Sequence, residues 1–182
     1  MGNKETYFIE GKRIFLRNIV PEDINENYCR WMNDQDINKY METRYFPHTI
    51  EDIKQYVEKI HNNPEQIFLA ICLKNEKQHI GNIKLGPINW IHRVGEISLF
   101  IGEKACWGKG YATEAIKLIS NYAFYKLNLR KLTAGCYANN IGSLLAFQKA
   151  NFVQEAILKN QYFCDGVYVN KICLALFSKT KE

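Results

Sequence analysis

Residues 96–112 read Glu-Ile-Ser-Leu-Phe-Ile-Gly-Glu-Lys-Ala-Cys-Trp-Gly-Lys-Gly-Tyr-Ala. The first six alternate, Ile97, Leu99 and Ile101 on one side and Glu96, Ser98 and Phe100 on the other, as in a strand with one face on a core. Beyond the two glycines, Ala112, Ala115, Ile116, Ile119 and Ala123 recur at the spacing of an amphipathic helix. A strand leading through Gly108-Lys109-Gly110 into a helix turns several backbone N–H groups toward one point, at the positive end of the helix dipole. Such a nest binds phosphate oxygens, and glycine suits it because positive φ and close ligand approach exclude a Cβ. The spacing matches neither a Walker A loop nor the Gly-x-Gly-x-x-Gly dinucleotide fingerprint. The expected pyrophosphate cradle is therefore Trp107, Gly108, Lys109, Gly110, Tyr111 and Ala112, with Thr113 beside it.

Working outward, residues 13–17 read as a first strand, and Pro21-Glu22-Asp23 opens a helix reaching about Met32. Thr49 caps a second helix carrying Ile53, Tyr56, Val57 and Ile60. Segments 66–73, 80–85 and 96–101 form an antiparallel meander. After the glycine loop and its helix come a strand at 130–137, a helix at 141–149 and strands at 152–158 and 167–176. The order is β-α-α-β-β-β-α-β-α-β-β, an α/β (α+β) chain with a mixed, mostly antiparallel sheet of about seven strands. No repeat or linker divides it, so residues 1–182 are expected to form one domain.

Composition narrows the function classes. Hydrophobic residues make up 47% and charged residues 24%, as in soluble globular proteins. The apolar run 67–72 is far too short to span a bilayer, and the N-terminus lacks a secretory apolar stretch. The expected location is the cytoplasm, without membrane partners. Residues 1–6 fit the loose N-myristoylation pattern, which matches often by chance. Six cysteines without a CxxC pair read as reduced thiols, and four scattered histidines offer no metal site. Lys and Arg outnumber Asp and Glu by 24 to 19, for a net charge of +5. Spread as they are, they suit a small polyanion and not nucleic acid.

The run 96–102, then Trp107-Gly-Lys-Gly-Tyr-Ala-Thr-Glu-Ala115, then Asn140-Ile-Gly-Ser143 and Lys149-Ala-Asn-Phe152 resembles the GCN5-related N-acetyltransferase (GNAT) superfamily over residues 10 to 177. With Trp31-Met-Asn-Asp34, it looks like the branch containing the RimJ/RimL ribosomal-protein alanine acetyltransferases. The resemblance implies acetyl-CoA as co-substrate and a splay between the fourth and fifth strands. Leu99, Phe100 and Ile101 would line the pantetheine arm, and 108–112 would take the pyrophosphate. Ala105 stands where the family loop carries Gln or Arg, which removes one side-chain contact.

Acetyl transfer to an amine needs a neutral nucleophile, and a primary amine with a pKa near about 10 is mostly protonated at neutral pH. A carboxylate at the cleft is the cheapest base. Glu96 is the candidate, against the alternative of an ordinary solvent-facing strand glutamate. A backbone N–H near Phe100 could stabilise the oxyanion. Many relatives place a tyrosine where this chain has Phe147, so Ser143 is the remaining side chain for the leaving sulfur, or merely a first-turn capping residue. Asn140 either caps that helix or bonds the pantetheine; Tyr111 and Cys106 read more simply as core and structural thiol. Trp31, Asp34, Tyr40 and Trp90 could wall the acceptor site. The expected acceptor is a small amine such as an amino sugar, with a polyamine or a protein N-terminus as alternatives. A non-catalytic CoA-binding module is the competing class, and a homodimer is allowed.

Overall fold

A computed structural model describes residues 7–179, so the acylation pattern at residues 1–6 lies outside it. The described residues form one eight-stranded sheet in the order β1-β2-β3-β4-β5-β6-β8-β7. The strands are β1 (Ile9–Glu10), β2 (Ile14–Asn18), β3 (Ile67–Leu73), β4 (His79–Asn89), β5 (Val94–Ile101), β6 (Lys131–Tyr137), β7 (Val153–Cys164) and β8 (Val167–Phe177). All neighbours are antiparallel except β5 and β6. The strand beyond the expected seven is β1, two residues paired with Leu16 and Phe15. A segment that short has no period to read.

Five α-helices flank the sheet: α1 (Glu26–Asn33), α2 (Gln35–Asn38), α3 (Ile50–His61), α4 (Tyr111–Tyr125) and α5 (Ile141–Lys149). One face carries the main core, where Leu16, Ile71, Ile83 and Ile97 meet Ile116 and Ile119 of α4. The opposite face carries Tyr28, Trp31 and Ile53 from α1 and α3, packed with Phe100. Alternation along β5 thus serves two layers, as its pattern requires. Thr49 caps α3 as expected, its hydroxyl accepting from the Asp52 N–H at 3.2 Å and donating to the Asp52 carboxylate at 2.6 Å.

The helix expected from Pro21 breaks in two. Pro21–Asp23 makes only a 3-10 turn, and the chain restarts at Asn25, whose side chain accepts from the N–H groups of Asn27 and Tyr28. The cause is Asp23, which is drawn inward. Its carboxylate accepts from Arg17 Nη1 at 2.5 Å, Arg17 Nη2 at 2.8 Å and the Val20 N–H at 2.9 Å. Burial works to raise its pKa, but the Arg17 hydrogen bonds, His79 and the Val20 N–H together hold it below the ordinary aspartate value. A lowered folded-state pKa stabilises the fold above the unfolded value of about 3.9 and loses that contribution as pH falls through the folded value. Asp23→Asn should destabilise the protein by about 3–5 kcal/mol, because it removes the charge of a buried carboxylate that forms a two-pronged ion pair with Arg17. It should also flatten the acid limb of the stability profile; urea melts from pH 7 to pH 2 check both.

Of the six cysteines, Cys72, Cys106, Cys136 and Cys164 are buried, Cys29 and Cys173 are half-buried, and all six are free thiols. No helix among the described residues is long and apolar enough to cross a membrane.

Candidate active site

β5 and β6 run parallel only through Val94–Lys131, Gly95–Leu132 and Glu96–Thr133. Past that point they diverge, and β5 from Ile97 onward pairs with β4 alone. Beyond Glu96, β5 stays on β4 as far as Ile101, and beyond Thr133, β6 stays on β8 to Tyr137. The splay opens a cavity of about 420 Å³. Its walls are Ile97, Ser98, Leu99 and Phe100 on one strand and Gly135, Cys136 and Tyr137 on the other. Asn140, Ser143 and Phe147 of α5 close one side, and Tyr28, Ile53 and Tyr56 from α1 and α3 close another.

A segment between α2 and α3 covers the cavity with Tyr40, Met41, Glu42, Thr43 and His48. It is tied down at several points. Tyr40 donates to the Asn139 carbonyl at 3.2 Å, and Arg44 and Tyr45 each donate to the Phe163 carbonyl at 2.9 Å. Tyr137 donates to Glu42 Oε1 at 2.7 Å and accepts from Arg44 Nη1 at 3.0 Å, while its ring stacks on Tyr162 at 4.1 Å. Burial and the Glu42 carboxylate push the Tyr137 phenol up to about 12. It stays neutral at physiological pH and is committed to holding Glu42.

Glu96 occupies the vertex of the splay, the last β5 residue paired with β6. It is half-buried, and its charge acts on Tyr162 and Lys171. A Cβ on Gly135 would stand 2.4 Å from Lys171 Cε, so the glycine lets that side chain cross β6. Burial opposes the Lys171 charge, but Tyr162 and Glu96 hold its pKa above the ordinary lysine value. Lys84, on β4 opposite Ser98, reaches the cavity and has no ion pair among the described residues.

The glycine loop lies outside the cavity walls, at the start of α4. A 3-10 turn, Lys104–Cys106, separates it from β5, where the sequence suggested a direct run. Gly108 and Gly110 adopt φ of +73° and +82°, the left-handed conformation expected of them. Nothing lies within 4 Å of where a Gly108 Cβ would stand, so the exposed loop offers an open cradle that suits an anion. Trp107 Nε1 donates to the Ile101 carbonyl at 2.8 Å, bending the loop back onto the end of β5. Thr113 donates to the Ala146 carbonyl at 3.4 Å and joins α4 to α5. Burial pushes the Cys106 thiol up, which makes it a structural group.

Of the expected site residues, Leu99, Phe100, Tyr40, Asn140 and Ser143 meet at the cavity. Asn140 caps α5, its Oδ1 accepting from the Ser143 N–H at 3.1 Å. Three expected acceptor-wall residues go elsewhere. Trp31 is 1% exposed, packed on Tyr28, His79 and Phe100; Gly102 lies so close that a Cβ there would stand 2.1 Å from Trp31 Cδ2. Asp34 caps α2 and pairs with Lys104 at 2.9 Å. Trp90 sits in the β4–β5 turn, away from the cavity walls. Conversely, Glu42, Lys84, Tyr137 and Tyr162 come from four separated segments, and no local spacing marks them.

Known proteins place this geometry. The acetyltransferase (GNAT) domain model matches residues 13–153. A probable N-acetyltransferase, YjcK of Bacillus subtilis (strain 168), is 30% identical over 96% of this chain and 99% of its own. The spermidine N(1)-acetyltransferase of Escherichia coli (strain K12) is 30% identical over 89% of this chain and 84% of its own. The crystal structure of spermidine N-acetyltransferase from Vibrio cholerae, in complex with CoA and spermine, superposes with a TM-score of 0.81. It has 23% identity and covers 91% of this chain and 95% of that one. These relatives lend the expected amino-sugar acceptor no support and favour the polyamine alternative. With the family's domain matched over most of its length and the splayed sheet in place, the chain belongs to the GNAT family and is an N-acetyltransferase that draws its acetyl group from acetyl-CoA.

Proposed function

We propose that the cavity at the splay accepts the primary amine of a small molecule, of the polyamine class, and that Glu96 takes up its proton. The observation that carries the reading is the placement of Glu96 at the one point where β5 and β6 part, next in the chain to Ile97, where the β5 wall of the cavity begins; the Glu96 side chain itself is not among the lining residues. Bound acetyl-CoA supplies an activated thioester there. Gly108 to Ala112 hold its pyrophosphate, the free edge of β5 from Leu99 to Ile101 faces its pantetheine, and Asn140 with Ser143 borders the sulfur. Tyr28, Tyr40, Tyr56, Tyr137 and Tyr162 line the cavity together with Glu42; aromatic faces and a carboxylate attract an alkylammonium. The spermidine acetyltransferases among the relatives support the same class.

One observation favours a second reading. Lys84 is a cation in the cavity wall without an ion pair among the described residues, and it suits an acceptor carrying an anionic group beside its amine. Thiol release measured with spermidine, spermine, a phosphorylated amine and an N-terminal peptide separates the possibilities. Spermidine or spermine should give the highest kcat/KM. Preference for the phosphorylated amine would transfer the assignment to the second reading, and turnover of the peptide alone would overturn both. CoA binding without transfer to any amine would identify a non-catalytic module.

A further inference from the structure

Arg13, just before β2, reaches the glycine loop across 96 positions of sequence. Its Nε donates to Glu114 Oε2 at 2.8 Å, its backbone N–H donates to Glu114 Oε1 at 2.8 Å, and its Nη1 donates to the Lys109 carbonyl at 2.7 Å. The guanidinium lies over the Tyr111 ring at 4.8 Å. Glu114 belongs to the first turn of α4 and is itself mostly shielded, so the arginine is fixed from two sides.

These contacts have a directional effect. Across a planar trans peptide the C=O and N–H point in opposite directions. Drawing the Lys109 carbonyl inward therefore turns the Gly110 N–H outward, toward the mouth of the nest. The remaining nitrogen, Nη2, stands 3.4 Å from where a Gly110 Cβ would lie, at the edge of the loop on the carbonyl side of that peptide. Ala105 contributes no polar side chain to the loop, so a cation delivered from β2 fills that role.

We infer that Arg13 is a coenzyme-binding residue: it sets the orientation of the Lys109–Gly110 peptide and offers Nη2 to a pyrophosphate oxygen. This rests on reading 108–112 as the pyrophosphate cradle. Two parallel N–H donors on a fixed planar fork are what Arg provides and Lys does not.

Calorimetric titration of Arg13→Gln and Arg13→Lys with CoA, and with pantetheine, which lacks the pyrophosphate, tests the assignment. Arg13→Gln should weaken CoA binding about 10-fold or more and leave pantetheine binding unchanged, as expected for loss of a charge-assisted contact. Arg13→Lys should recover only part of the affinity. Equal losses for both ligands would reduce Arg13 to a structural brace and overturn the inference. Gly110→Val separates the two levels. If it weakens CoA binding while Arg13→Gln does not, the cradle stands and Arg13 falls; if neither variant affects CoA binding, the cradle reading itself falls.

Discussion

Glu96→Gln should lower kcat by about 100-fold or more while leaving acetyl-CoA affinity unchanged, because general-base catalysis contributes at least that much and the amide cannot accept the proton. The substitution is nearly isosteric, and the Glu96–Thr133 pairing runs through backbone groups, so the splay should persist. Stopped assays at saturating acetyl-CoA measure kcat, and calorimetric titration with acetyl-CoA measures the affinity. Unchanged turnover would remove Glu96 from the base role and direct attention to Glu42, the carboxylate in the cavity wall.

Trp31→Ala should cost about 3–5 kcal/mol of stability, the usual range for emptying a large aromatic site in a packed interior. The indole fills the space between α1, His79 and Phe100, and it is the surface on which Gly102 rests. Gly102 directly follows β5 and begins the approach to the glycine loop, so the variant should also lose coenzyme affinity as that approach loosens. Denaturant melts measure the first effect and CoA titration the second. A small stability change accompanied by a raised KM for the acceptor would return Trp31 to the acceptor wall.

The same residue illustrates what local pattern can and cannot convey. Trp31 and Asp34 look in sequence like polar-aromatic material for a binding wall, yet one belongs to the second core and the other caps α2. Capping and burial compete with ligand contact for the same residue types, and only the packing of α1 on the sheet decides between them. The glycine turn into α4 was legible because its requirement is local. Two glycines at positive φ before a helix, Gly108 and Gly110, must be neighbours in the chain to act together.

The acceptor side has no such local requirement. Glu42 reaches Tyr137 over 95 positions, and Arg13 reaches Lys109 over 96; neither pairing leaves a mark in the spacing of its own segment. The sequence by itself determined the alternation of β5, the glycine turn into α4 and the order of the elements, because dihedral preference and hydrophobic period act over a few residues. Where β5 and β6 separate, which side chains the segment between α2 and α3 brings over the opening, and which arginine steadies the loop were decided by the tertiary structure. Those features arise from contacts between segments far apart in the chain, and such contacts are selected by packing across the whole sheet.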